Sequence, residues 1–158
     1  MDGTNILLVL LGILATFGIL MFIWWILQII ANWRVFTKAG ESGWKSIIPV
    51  YSDYITFKIS WTKGKTVFWI WLVGNILMSY GYAAQETAET AGTAVGSVTG
   101  ALFLIGTIAA LVTTVMLALK KSQAFGHGVG FALGLLFLSP IFTMILGFGA
   151  SGYLGPQE

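Results

Sequence analysis

The first long apolar stretch constrains this chain more than any other feature. From Ile6 to Ile30 it holds no charged residue, and the polar side chains within it are Thr16 and Gln28. A bilayer core about 30 Å thick needs roughly 20 apolar residues in a helix. The stretch therefore predicts a transmembrane helix over 6–30.

Three further charge-free stretches follow, at 67–83, 101–119 and 129–150. Charged residues make up 9% of the chain, against about 25% in a typical soluble domain. So few charges cannot cover a surface that faces water. The sequence predicts an all-α membrane protein: a single domain, 1–158, of four transmembrane helices.

The basic residues indicate how these helices are oriented. All eight lie in two connections: Arg34, Lys38, Lys45, Lys58, Lys63 and Lys65 in 32–66, and Lys120 and Lys121 between the third and fourth helices. The positive-inside rule places such connections in the cytoplasm. We therefore expect both termini, and the small-residue connection 84–100, to lie outside.

The cytoplasmic connection 32–66 is too long to lack structure of its own. Gly40 to Gly43 is typical of a turn that ends a helix, and Pro49 suits the first position of a new one. Tyr51, Tyr54 and Ile55 recur at helical spacing, although 55–61 also alternates like a strand. We favour a helix, because a lone strand near lipid leaves its backbone unpaired. The segment 44–61 either lies in the membrane interface or re-enters the membrane.

Most polar and aromatic residues of this connection predict contact with lipid. Lysine and arginine beside a span attract anionic headgroups, and tryptophan prefers the interface. The predicted lipid-contact residues are Arg34, Lys38, Lys45, Lys58, Lys63, Lys65, Trp33, Trp44 and Trp61. A functional loop is predicted at Pro49, Tyr51, Asp53 and His127. If Asp53 enters the membrane, Lys45 or Lys58 is its expected partner.

Glycines at a spacing of four residues predict close helix packing. One series contains Gly92, Gly96 and Gly100, and a second contains Gly126, Gly130 and Gly134. The pattern fits contacts within one subunit or between subunits. It also leaves open whether 84–100 is a helix or a flexible loop.

The reactive residue types are scarce. The chain has no cysteine and one histidine, so we expect no metal site, no cofactor and no catalytic residue. Gly149 to Gly152 matches the G-x-S-G of intramembrane rhomboid proteases, and its serine would need His127 as a base. A continuous helix would hold the two about 36 Å apart, at 1.5 Å for each residue. That distance argues against a serine hydrolase.

Two motifs resemble a known family. They are Lys38-Ala39-Gly40, followed by Gly43-Trp44 and Ile48-Pro49-Val50-Tyr51, and later Phe125-Gly126, followed by Gly130-Phe131-Ala132-Leu133-Gly134-Leu135 and Leu146-Gly147-Phe148-Gly149. Together they resemble a prokaryotic membrane-protein family catalogued as domain of unknown function 5684. The resemblance implies a protein of the prokaryotic cell membrane. Some relatives carry this domain beside signal-peptidase-like modules, which implies an accessory or scaffold role.

The sequence therefore predicts a non-enzymatic membrane protein that self-assembles or serves as an accessory subunit. Membrane lipids and further copies or larger complexes are its expected partners, and nucleic acid is not. The alternative is a small oligomeric channel or transporter. An intramembrane enzyme is the weakest of the three hypotheses, because no catalytic constellation is evident.

Overall fold

The computed structural model describes residues 3–92 and 96–158, and within these ranges the protein is helical without a regular β-strand. The α-helices are α1 (Gly3–Lys38), α2 (Pro49–Ser60), α3 (Gly64–Ala91), α4 (Ser97–Ala124), α5 (Val129–Phe137) and α6 (Ser139–Phe148). A short 3₁₀ turn at Gly43–Ser46 precedes α2.

Three of these helices, α1, α3 and α4, are long and apolar enough to cross a membrane. The predicted spans 6–30, 67–83 and 101–119 each lie inside one of them. In the connection 32–66, α1 ends at Lys38, and Gly40 turns the chain with a φ of 76°. Pro49 begins α2 as predicted, and α2 is a helix rather than a strand.

The predicted fourth span, 129–150, is not one helix. It is a hairpin of α5 and α6, which are separated by Leu138. Pro140 has no backbone N–H to continue the helix, and Gly134 leaves the space that the ring of Phe142 fills. Four spans are therefore not confirmed: the described residues contain three candidates.

The hairpin also changes where the C-terminus lies. Lys38, at the end of α1, donates hydrogen bonds to the carbonyls of Leu146 and Gly149, and the backbone of Gln157 pairs with Ser60 and Thr62. The C-terminal segment thus lies at the end of the molecule that carries the basic connections. The N-terminal end of α1 lies about 50 Å away along the helix. The predicted orientation, with both termini outside, is therefore not confirmed.

The connection 84–100 is helical at both of its ends. Helix α3 continues to Ala91 and ends at Gly92, whose φ of 65° is left-handed, and α4 begins at Ser97. Residues 93–95 of this connection lie outside the described residues. The four-residue glycine series is therefore divided between two helices.

Helices α3 and α4 pack against each other along much of their length, and the other helix contacts lie mainly at the basic end. Among the described residues, α1 packs against α6, the 3₁₀ turn and α2, but not against α3 or α4. Helix α4 packs against α2, α3 and α5, so that α1, α2, α4, α5 and α6 form a ring. The buried apolar core joins these helices and includes Phe36, Ile55, Phe125, Leu135 and Leu146.

Candidate functional site, a polar cavity inside the helix ring

A partly open cavity of about 230 Å³ lies at the centre of the helix ring. All five helices of the ring contribute to its wall. Its polar lining residues are Gln28, Asn32, Ser52, Asp53, Thr56, Thr114, Lys121, Ser139 and Thr143. Thr114 and Lys121 lie seven residues apart on α4, so the cavity extends about 10 Å along that helix. A polar cavity is unexpected in a chain with so few charges.

Lys121 is the buried cation of this cavity. The residue is 7% exposed, and its Nζ donates a hydrogen bond to the Thr143 hydroxyl over 3.2 Å. Its position on α4 directs the side chain inward, whereas the neighbouring Lys120 contacts the Trp61 ring and the backbone carbonyl of Glu158. The ammonium of Lys121 has three donors. Within the described part of the chain, one of them has a protein acceptor.

Asp53 is the anion of the same cavity. It remains exposed, at the place where this cavity adjoins a second one of about 200 Å³ between α1 and α2. The surrounding protein atoms raise the pKa of Asp53 by desolvation, and the charge of Lys121 partly offsets this. The expected pairing of Asp53 with Lys45 or Lys58 is wrong, because both lysines bind Glu41 instead.

The remaining polar groups hold the hairpin against α1 or face the cavity. Gln28 donates to the carbonyl of Pro140 over 3.3 Å, at the tip of the hairpin. Non-helical backbone at membrane depth is tolerated where it lines a polar cavity. The break between α5 and α6 therefore fits its position at the cavity wall.

Sequence reasoning missed Lys121 as a site residue. Beside Lys120, it reads as a second topology-setting charge. A signal was present, because Thr114, Ala118 and Lys121 follow the helical spacing of one face. The sequence alone did not indicate which helices pack opposite that face of α4.

The predicted lipid-contact residues divide into two groups. Lys38, Lys45 and Lys58 bind carbonyls or Glu41 within the chain, and Arg34 lies 5.1 Å from the ring centre of Phe148. The others include Trp33, whose ring packs on Gly43, and Trp44, whose ring stacks near Tyr51. Trp61 contacts Lys120, while Lys63 and Lys65 start α3. Lipid contact by these residues stays a prediction.

Stability below neutral pH should depend on Glu41. Hydrogen bonds from Lys45 and Lys58, each 2.5 Å long, lower the pKa of Glu41 from its ordinary value of 4.5. A lowered pKa stabilises the fold above the unfolded value, and this stabilisation is lost as the pH falls through the folded value. Glu41→Gln should lower the Tm in detergent by about 2–4 °C at pH 7. The difference from wild type should shrink as the pH falls below 4.5 and vanish once the pH is below the lowered pKa of folded Glu41. A difference that does not change with pH would contradict this explanation.

The predicted packing glycines have varied surroundings. Gly134 packs on Phe142, and Gly126 turns the chain with a φ of 74°. Among the described residues, Gly100 and Gly130 face open space and Gly96 is near only the Thr99 hydroxyl, so these three glycines make no close contact with another helix there. Besides Gly134, close contacts within the chain use glycines that the spacing did not single out, among them Gly74, Gly81, Gly106 and Gly147.

The structure brings His127 and Ser151 together. The Nε2 atom of His127 lies 2.8 Å from the Ser151 hydroxyl, and its ring stacks on Phe131 with centroids 4.2 Å apart. The predicted separation of about 36 Å is wrong because α6 runs back along α5, which brings Ser151 next to His127. Within the described ranges, no group hydrogen-bonds the other ring nitrogen. The His127–Ser151 pair thus joins the two ends of the hairpin, and the described residues provide no partner that orients the imidazole. The absence of enzymatic activity stays a prediction.

A double-mutant cycle should show that the contact between His127 and Ser151 stabilises the fold. We expect a coupling free energy of about 0.5–1.5 kcal/mol between Ser151→Ala and His127→Phe in thermal unfolding. As a control, Ser79→Ala should be additive with His127→Phe. We also expect no labelling of Ser151 by a fluorophosphonate probe. Labelling that requires His127 would contradict the structural role and favour a hydrolase.

The Lys121–Thr143 hydrogen bond resembles a base–hydroxyl pair as well. Thr143 is 4% exposed and lines the same cavity as Lys121, and the absence of enzymatic activity at this pair also stays a prediction.

The fold and the site together define a helical protein with three helices suited to crossing a membrane and a polar cavity where its shorter helices meet. The chain belongs to a family of unknown function, DUF5684, whose model matches residues 44–156. This range contains every cavity-lining element except α1. No curated protein and no solved structure matches the chain.

Proposed function

We propose that this protein binds a small polar solute in the cavity and acts as a small channel or transporter. The observation that carries the proposal is the burial of Lys121 against a polar cavity with one neutral hydroxyl as its partner. A buried charge is costly unless it is paired. Ionisable residues among membrane helices generally mark substrate or ion pathways.

The surrounding helices support this proposal. Two connections that do not form membrane-length helices, 43–60 and 129–148, face each other across the cavity. Interrupted helices commonly form the binding sites of membrane transporters, because their free backbone groups and ends point into a cavity. This arrangement favours the channel or transporter over a passive scaffold.

Reconstituted protein tests the proposal. Liposomes containing the protein should accumulate or release a small polar solute faster than empty liposomes. Thr56→Phe should reduce the flux, because its ring would occupy the cavity. Thr87→Phe is the matched control, since Thr87 is exposed on α3 and does not line this cavity. Equal flux in both variants and wild type would rule out passage through the cavity.

Self-assembly is a second candidate function, as a non-enzymatic accessory or scaffold subunit. The observation that favours it is α1, whose most apolar stretch is unburied and whose Gly12 and Gly18 have no atoms nearby within the described chain. Either lipid or another helix must cover this surface. The prokaryotic cell membrane, with anionic lipids at the basic end, remains the proposed location.

The open glycines permit a test of assembly. Gly130→Leu and Gly96→Leu suit this test, because the described residues leave room for a Cβ at both positions. No atom lies within 4 Å of a Cβ at Gly130, and the Thr99 hydroxyl, at 3.9 Å, is the one atom near a Cβ at Gly96. If these faces join subunits, both changes should reduce the particle mass measured in detergent by light scattering. Particles of unchanged mass would exclude these two glycines from the contact.

A further inference from the structure

We propose that the ligand of the cavity is a small zwitterion of the α-amino acid type, with its carboxylate at Lys121 and its ammonium at Asp53. This inference rests on the proposed function and specifies the class of solute. It follows from the juxtaposition of two opposite charges that line one cavity without pairing.

The two charges do not neutralise each other directly. Within the described residues, no nitrogen of Lys121 lies within 4.0 Å of a carboxylate oxygen, although Asp53 is near enough to affect it electrostatically. The Asp53 carboxylate likewise accepts no hydrogen bond from the described part of the protein. Each charge therefore retains capacity for a partner on the cavity side.

The charge balance selects the class of ligand. Lys121 and Asp53 are the charged residues of the cavity lining, so the lined space is neutral overall. An anion alone would leave Asp53 without a counter-charge, and a cation alone would leave Lys121 without one. A zwitterion satisfies both and adds no net charge beside the buried Lys121.

The dimensions and the polar groups suit a small ligand. A cavity of about 230 Å³ is below the range of about 300–1,000 Å³ typical of drug-sized ligands. Gln28 and Asn32 on α1, and Thr56 on α2, also face this space. Their amides and hydroxyl can donate or accept hydrogen bonds with a carboxylate or an ammonium.

Three probes with one side chain separate the contributions of the two charges. Alanine carries both, N-acetylalanine only the carboxylate, and alanine methyl ester only the ammonium. Binding to the full-length protein in detergent is measured by thermal shift and isothermal titration. We expect alanine to bind at least about tenfold more tightly than either derivative, the tenfold corresponding to one charge-assisted contact.

Asp53→Asn provides the decisive comparison. The variant should lose the preference for alanine over N-acetylalanine, while Glu89→Gln, an acid of α3 outside the cavity, should keep it. Binding of N-acetylalanine equal to alanine in wild type would overturn the zwitterion and leave an anion-binding cavity intact. Binding of none of the three, with liposome flux of another solute blocked by Thr56→Phe, would also overturn it without touching the proposed function. A preference for alanine that survives Asp53→Asn would overturn the assigned role of Asp53.

Discussion

Replacement of Lys121 by methionine is expected to weaken solute binding by about 10- to 100-fold, the loss of one charge-assisted hydrogen bond in a poorly solvated site. Methionine has a similar length and no charge, so it removes the ammonium with little change in volume. Lys121 is 7% exposed, and the cavity provides its remaining donors with a route to a ligand. Binding would be measured by titration and transport by flux into liposomes.

The stability of the same variant separates a ligand-binding lysine from a structural one. Replacing a buried charge by an apolar side chain is often neutral or stabilising. We therefore expect Lys121→Met to keep or raise the Tm while its affinity for the solute falls. Such a trade-off is common where a binding site destabilises the fold. A large fall in Tm would instead identify Lys121 as part of the packing.

Lys120→Met is the matched control for Lys121→Met. It removes the same charge from the adjacent position on α4, where the side chain contacts Trp61 and the C-terminal residue instead of the cavity. Binding should stay within about twofold of wild type. Equal losses in both variants would attribute the effect to net charge at this end of the protein.

Gly147→Ala is expected to destabilise the protein by about 1–3 kcal/mol, the usual cost of overpacking. A Cβ at Gly147 would lie 2.6 Å from the carbonyl oxygen of Ala31, where α6 crosses α1. The obstacle is backbone, so the two helices would have to separate. Since α1 and α6 both line the cavity, solute binding should fall as well. Thermal unfolding in detergent and binding of the solute are the two measurements.

Gly130→Ala provides a control with the opposite expected sign. Gly130 lies on α5 of the same hairpin, and no described atom outside its own stretch of helix lies within 4 Å of the position that a Cβ would take. Alanine is favoured over glycine in a helix by up to about 1 kcal/mol, so this variant should be slightly more stable. Similar losses in both variants would show that the hairpin does not pack on α1 as described.

The predictions from apolar composition, and from single residues that end or begin helices, agree with the structure. Charge-free stretches predicted α1, α3 and α4, because burial in lipid needs only an apolar segment of sufficient length. Gly40 and Pro49 marked the end of α1 and the start of α2, because left-handed turns and first helical positions each favour one residue type.

The predictions that assumed a straight helix over 129–150 were wrong. Hydropathy alone does not distinguish one membrane-length helix from two short ones, since both are apolar. The hairpin depends on contacts distant in sequence, such as Gly147 against Ala31 and Gln28 with the Pro140 carbonyl. This one difference also moved the C-terminus and brought His127 to Ser151.

The sequence by itself thus determined that the chain is helical, rich in membrane-length apolar segments and basic at one end. Tertiary structure alone decided that Lys121 and Asp53 line the same cavity, 68 positions apart in the chain (121 − 53). The physical reason is that insertion into a membrane depends on properties summed over about 20 neighbouring residues. A binding site depends instead on which helix faces meet, and packing between distant segments sets those faces.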